Sequence, residues 1–241
     1  MSVKYLHNSI EHNTRAAEKI VPFLLNHFNF SNVVDVGCGT GTWLKVFANH
    51  GIDILGIEGF HLDKNKLVIP ESKILLHDLE KPLRIEKQFD LAISLEVAEH
   101  LGKDSAPQFV ESITKLSNVI LFSAALPFQG GQNHVNEKWP SYWIDLFEKF
   151  DFFPLDIVRP AFWNDEGIEY WYKQNSFLFV SREFIKNFSG MPSFNCLNIV
   201  HPDLYLKKAS YLNDLINGRQ GLIDSFKIFI KSIINLLWKT K

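Results

Sequence analysis

Two short stretches of this 241-residue chain concentrate residue types that do chemistry. The first is Val33-Val34-Asp35-Val36-Gly37-Cys38-Gly39-Thr40-Gly41. A β-branched run meets an acid and then three glycines at alternate positions, and a helical pattern starts at Thr42. Glycine allows a tight turn and lets a ligand approach the main chain. Open α/β sheets bind ligands at such turns, beyond the carboxyl ends of their strands. A phosphate loop of the form Gly-x-x-x-x-Gly-Lys-Ser/Thr occurs nowhere, and a nicotinamide fingerprint would need its third glycine where Thr42 stands. Asp35 at the turn disfavours a pyrophosphate and suits a ligand that carries positive charge. The second stretch is Phe89–Leu101, which holds Glu96, Glu99 and His100. A helix starting near Glu96 would put Glu99 and His100 at i+3 and i+4, all three on one face. Two carboxylates and an imidazole so placed can hold and move a proton; the same residues could also do no more than open a capped helix.

The elements that must position these groups read as an alternation. Glu11 to Phe28 has helical spacing of Ala16, Ala17, Ile20, Val21, Leu24 and Leu25, with Pro22 inside as a possible kink. Strands are expected at Val33–Val36, Ile52–Ile57, Lys73–Leu76, Leu91–Ser94 and Asn118–Phe122, with helices at Thr42–Asn49 and Pro107–Leu116. Such order predicts a parallel sheet with helices on both faces. A polar loop, Gln129–Glu137, and a helix, Pro140–Phe150, follow; Phe152–Val158 and Ser176–Ser181 then read as strands that close the sheet in antiparallel fashion.

The glycine turn resembles motif I of the class I S-adenosylmethionine-dependent methyltransferases, and Phe89–Leu101 resembles the segment that follows their fourth strand. The resemblance covers most of Thr14–Ser181. It implies a Rossmann-like α/β fold, a seven-stranded, mostly parallel sheet with an antiparallel last strand. It also implies S-adenosylmethionine as cofactor. On that resemblance Asp35 and the turn Gly37, Cys38, Gly39, Thr40 and Gly41 hold the methionine part, and Glu96 borders the same site. Glu58, in Ile57-Glu58-Gly59, accepts both ribose hydroxyls as a carboxylate can. Asp78, in His77-Asp78-Leu79, bonds the adenine amino group while Leu79 packs on the ring.

Methyl transfer from a sulfonium needs an acceptor held in line and its proton managed. A sugar hydroxyl needs a general base or an acidifying metal. His100 suits the first role, with Glu99 beside it and His134 as a second imidazole. For the second, small-RNA 2′-O-methyltransferases use a Glu-x-x-Glu-His segment and a later histidine to hold magnesium, and Glu96, Glu99, His100 and His134 resemble that pattern. Two carboxylates and two imidazoles would accept a divalent ion.

The segments Leu121–Pro127, Gly130–Trp139 and Trp171–Asn175 look like a methyltransferase subgroup associated with bacterial surface-polysaccharide or nucleotide-sugar synthesis. Asn133, Asn136, Trp139, Trp143, Tyr172 and Gln174 supply rings and amides that suit a polyhydroxyl ligand. The expected reaction is therefore O-methylation of a sugar or sugar phosphate. The alternatives are a metal-dependent RNA 2′-O-methyltransferase and a non-catalytic scaffold. A net charge of −2 advertises no basic path for nucleic acid. His12, Asn13 and Arg15 could form a lid over the cofactor.

Two cysteines, Cys38 and Cys196, exclude a disulfide framework. The N-terminus lacks a signal-type apolar run and no stretch is apolar enough to span a membrane, so a cytoplasmic location is expected. The domain is expected at residues 1–185, with an extension at 186–241. Within it Leu222, Ile223, Phe226, Phe229, Ile230, Ile233, Ile234 and Leu237 make an apolar helical face beside Lys227, Lys231, Lys239 and Lys241. That helix could dock on the domain, form a homodimer seam or contact a membrane surface.

Overall fold

In the computed structural model, residues 13–186, 197–219 and 221–239 are described. Short apolar runs build the sheet: β1 (Asn32–Val36), β2 (Asp53–Glu58), β3 (Ile74–Leu76), β4 (Leu91–Leu95), β5 (Val119–Ser123), β6 (Phe152–Leu155) and β7 (Phe177–Ser181). Their order is β3-β2-β1-β4-β5-β7-β6. β1 pairs in parallel with β2 and β4, β2 with β3, and β4 with β5. Only β7 is reversed, antiparallel to both β5 and β6. β6 therefore runs with the first five strands, not against them. The expected class, a seven-stranded, mostly parallel sheet with an antiparallel last strand, is the one observed.

Both faces are covered, so the central strands are buried along nearly their whole length and their apolar side chains still sort by a period of two. Val33, Leu91, Ile93, Leu121 and Leu178 join the core under α1 (Arg15–His27) and α2 (Thr42–Asn49). Val34, Ala92, Ile120, Phe122 and Phe179 join the core under α3 (Ala106–Thr114) and α4 (Pro140–Glu148). Pro22 sits inside α1, which runs unbroken through it. The strand expected at Phe152–Val158 stops at Leu155, and Val158 instead opens α5 (Val158–Phe162). The aromatic stretch after it ends in α6 (Tyr170–Asn175), and α7 (Arg182–Ile185) follows β7.

The chain divides into two units, Met1–Ile199 and Val200–Lys241. Leu197 and Asn198 belong to the first: Arg159 Nη1 donates to Leu197 O at 3.0 Å, and the Ser141 amide donates to Asn198 Oδ1 at 3.2 Å. The second holds α8 (Pro202–Ile216) and α9 (Leu222–Lys239). Among the described residues no helix is long and apolar enough to cross a membrane.

Candidate active site

The glycine turn leaves β1 with positive φ at Gly37 (88°), Gly39 (54°) and Gly41 (85°). The amides of Gly37 and Cys38 both donate to Ile57 O, at 2.8 and 3.2 Å, which ties the turn to the end of β2. A Cβ on Gly37 would lie 2.6 Å from Val97 Cγ1, and one on Gly41 would lie 2.7 Å from Ile69 Cγ1. Both glycines are thus demanded by conformation and by the chain's own packing. Glu58 ends β2, and its two oxygens accept from the Gly39 amide (2.6 Å) and the Gly59 amide (2.7 Å). Asp35 is 4% exposed, and burial, then the charge of Glu58, pushes its carboxyl well above the usual range. Burial, then Asp35 and Glu58, likewise raises the Cys38 thiol, so this sulfur stays protonated. Asp78 is exposed in a turn after β3, its Oδ1 accepting from the Glu80 amide at 3.1 Å; the preceding His77 amide donates to Glu58 O. These groups fit the expected cofactor. Asp35 is a buried acid with no salt bridge among the described residues, which would suit a cationic ligand at the turn, and each Glu58 oxygen keeps a lone pair for a hydroxyl.

The acid–histidine stretch is not the helix its spacing suggested. Glu96 has φ 55°, and only a single 3₁₀ turn, Ala98–His100, follows. Glu96 consequently points elsewhere than Glu99 and His100. Its carboxylate accepts from Gln129 Nε2 (2.9 Å) and Asn175 Nδ2 (3.1 Å). Gln129 Oε1 accepts in turn from Asn175 Nδ2 at 3.0 Å, and Gln174 Nε2 donates to Asn175 Oδ1 at 2.9 Å. Burial raises the Glu96 carboxyl, while Asn175, Ser123, Gln129 and His134 pull it down.

Glu99 is fully buried, and among the described residues neither carboxylate oxygen has a hydrogen-bond partner. Burial, then the Glu96 charge, pushes its carboxyl well above the usual range. Ligand atoms of Glu99, His100 and His134 lie within 4.8 Å of one another. His134 Nε2 is 4.0 Å from Glu99 Oε1, and the two imidazoles meet edge to face at 4.8 Å between centroids. The loop that delivers His134 is pinned on Glu99, whose carbonyl accepts from the amides of Val135 (2.9 Å) and Asn136 (3.0 Å). Glu137 holds the imidazole from behind. It accepts from His134 Nδ1 at 2.9 Å and from the amides of Phe128 and Gly130, each at 2.7 Å. A carboxylate only accepts, so Nδ1 carries a proton, and Nε2 is the ring nitrogen that lies toward Glu99.

Positive φ at Glu96, Phe128 (66°) and Asn133 (60°) marks this region, and such strain collects where a site over-determines the backbone. Asn136 is 2% exposed with neither amide atom bonded among the described residues, and Asn133 Nδ2 is buried in the same condition. Both lie on the loop that carries His134, and the Asn136 main-chain amide donates to Glu99 O. Gln174 joins the amide network behind Glu96. Trp139 is exposed at the start of α4. Trp143 is not brought to the cluster: it is core, packed on Phe122 at 5.3 Å. Tyr172 stacks edge-on against Trp43, and burial raises its phenol. Asn13 and Arg15 both bond Glu169 Oε1, at 2.9 and 2.8 Å, so the start of α1 is tied to the segment before α6; His12 lies outside the described residues. Glu137 and Gln129 are site residues that sequence reasoning passed over inside a polar loop. Their only local signal is that they bound the segment that carries His134.

The methyltransferase-domain family profile matches residues 9–165, more than half of the chain. The ubiquinone biosynthesis O-methyltransferase of Rickettsia akari (strain Hartford) is 26% identical over 103 residues, 41% of this chain and 40% of that protein's own length. Among solved structures, an S-adenosylmethionine-dependent methyltransferase from Clostridium acetobutylicum ATCC 824 superposes with TM-score 0.52 at 12% identity, covering 69% of this chain and 91% of that one. The CcbJ methyltransferase from Streptomyces caelestis gives 0.53 at 10% identity, over 70% and 90%. Magnesium protoporphyrin IX methyltransferase from Synechocystis PCC 6803, solved with bound SAH, gives 0.50 at 15% identity, over 74% and 90%. At these identities the likeness is one of fold. Family profile, strand order and glycine turn agree, and the chain belongs to the class I S-adenosylmethionine-dependent methyltransferases.

Proposed function

We propose that this methyltransferase acts on a hydroxyl of a small polyhydroxyl acceptor, a sugar or sugar phosphate of the kind built into surface glycans. The observation that carries the reading is that buried polar atoms of Glu99, Asn133 and Asn136 find no hydrogen-bond partner among the described residues, on the loop of His134 and the turn it is pinned to, with that imidazole oriented by Glu137. Buried groups of this kind are rare unless a ligand completes them. Their mixture of acceptors and amides suits hydroxyls, which both donate and accept. The glycan context rests on the sequence likeness of Leu121–Pro127, Gly130–Trp139 and Trp171–Asn175.

When bound, S-adenosylmethionine supplies an electrophilic methyl group on a sulfonium. The chain's own residues manage the other partner. Glu99 and Asn136 hold the acceptor, and His134 Nε2 takes the hydroxyl proton as the oxygen–methyl bond forms. Glu137 stabilises the resulting imidazolium, as an orienting carboxylate does for a catalytic histidine. This brings His134 forward as the base beside His100, because Glu137 fixes the tautomer of His134.

A second reading has its own observation: Glu99, His100 and His134 converge well enough to hold a divalent ion. Glu96, held by amides, is not in that group. Two imidazoles and one carboxylate suit a zinc, manganese or iron ion better than magnesium, which prefers oxygen. Glu137 then orients a ligand histidine.

One assay separates these. Methyl transfer to a panel of sugars and sugar phosphates is measured with and without chelator, for the native protein and His134→Ala. Transfer that survives chelation and fails in His134→Ala supports the base. Transfer lost on chelation and restored by manganese or zinc supports the metal. Transfer to RNA termini with none to any sugar overturns the acceptor class.

A further inference from the structure

We propose that the Val200–Lys241 unit seats the enzyme on an anionic lipid surface through α9, which lies in the interface plane without crossing the bilayer. Three observations on the chain point there. The first is an apolar stripe left in solvent. Phe226, Phe229, Ile230, Ile233 and Ile234 are 64, 59, 39, 42 and 48% exposed. They fall at i, i+3, i+4, i+7 and i+8, which is one face of a helix. Lys227, whose ammonium donates to Asp224 at 3.0 Å, and Lys231 stand along the edge of that stripe, where long stems can lie along the apolar face with their ammonium groups at headgroup level.

The second is the division of charge. Residues 200–241 carry seven Lys or Arg against three Asp or Glu, a net +4, while the whole chain is −2. The remaining 199 residues are therefore −6. A basic segment attached to an acidic body selects a negative surface and keeps the body off it. The same charge opposes the competing use of the stripe as a dimer seam, since two copies would bring +4 to meet +4.

The third is length against hydropathy. At 18 residues α9 has the length of a span, yet it is not apolar enough to be one. A helix of that length with one apolar and one basic face lies along an interface. α8, in the same unit, carries an apolar face of its own, with Tyr205, Leu212 and Ile216 at helical spacing and 66, 54 and 75% exposed.

The test is sedimentation of the full chain with vesicles of phosphatidylcholine alone, or of phosphatidylcholine with a roughly one-third share of phosphatidylglycerol. Binding to the anionic vesicles only, weakened by salt, is expected. Lys227→Gln with Lys231→Gln should weaken it roughly thirtyfold, about fivefold per lysine near the surface. Phe229→Gln with Ile233→Gln should abolish it while leaving the thermal melt of the protein unchanged. Equal binding to both vesicle types, or to neither, overturns the proposal. So does a dimer in velocity sedimentation that Phe229→Gln with Ile233→Gln dissociates.

Discussion

Gly37→Ala should unfold this protein more readily for a reason that lies in the catalytic segment. At φ 88° an alanine pays the left-handed strain of about 1–2 kcal/mol. Its Cβ would also sit 2.6 Å from Val97 Cγ1 and closer to Cγ2, with Val97 only 9% exposed and unable to swing clear. Overpacking of that kind costs about 1–3 kcal/mol. The sum, roughly 2–5 kcal/mol, corresponds to a fall in Tm of about 5–20 °C for a chain of this size. Val97→Ala alone removes two methyl groups and should cost about 2 kcal/mol. In the double variant the collision is gone, and only the backbone strain and part of the lost burial remain. Urea denaturation of all four proteins should therefore show the double variant more stable than additivity allows, by about 2 kcal/mol or more. Additivity within about 0.5 kcal/mol would refute the claim that the cofactor turn and the Glu96–His100 segment are locked together through this contact.

Further outcomes follow from the same geometry. Glu137→Gln should cut turnover roughly 10–100-fold and leave cofactor affinity unchanged, because it weakens the hold on the imidazole and on the loop that carries it, away from the glycine turn. The Glu99 carboxyl is raised in the fold above its ordinary 4.5, so the folded state holds the proton more tightly than the unfolded one, and this group's contribution falls as pH rises from 4.5 through the folded value. Glu99→Gln should thus raise Tm at neutral pH, flatten the decline between pH 5 and neutrality (about 7), and abolish turnover, as read by melting curves and a methyl-transfer assay. Gly131→Ala should displace the His134 ring, against which its Cβ would fall, and lower kcat with little change in KM for the cofactor.

Much of the frame is legible in the sequence because it is local. Val33 to Gly41 states its strand and turn in nine residues, with the helix opening at Thr42, and each buried strand announces itself as a short apolar run. The region around Glu99 is not local. Glu96 bonds Gln129 and Asn175, 33 and 79 positions away, and that pull accompanies a left-handed Glu96 where spacing suggested a helix. His134 and Glu137 are three residues apart, but their pairing depends on a loop folded by the Phe128 and Gly130 amides and pinned on Glu99 O. Trp143 illustrates the opposite error: a ring at helical spacing served the core. Arg159, whose type suits a phosphate or carboxylate, is 1% exposed and spends its charge on Asp156 three residues before it, with Phe177 stacked at 4.0 Å.

Calorimetric titration of the full chain with S-adenosylmethionine, repeated with Glu58→Gln, tests the cofactor site most directly. The expected result is one molecule bound per chain, with affinity reduced at least roughly tenfold in Glu58→Gln, since a charged acceptor for the sugar hydroxyls is lost. Absence of binding heat, or equal affinity in the two proteins, would contradict the placement of the cofactor over this turn.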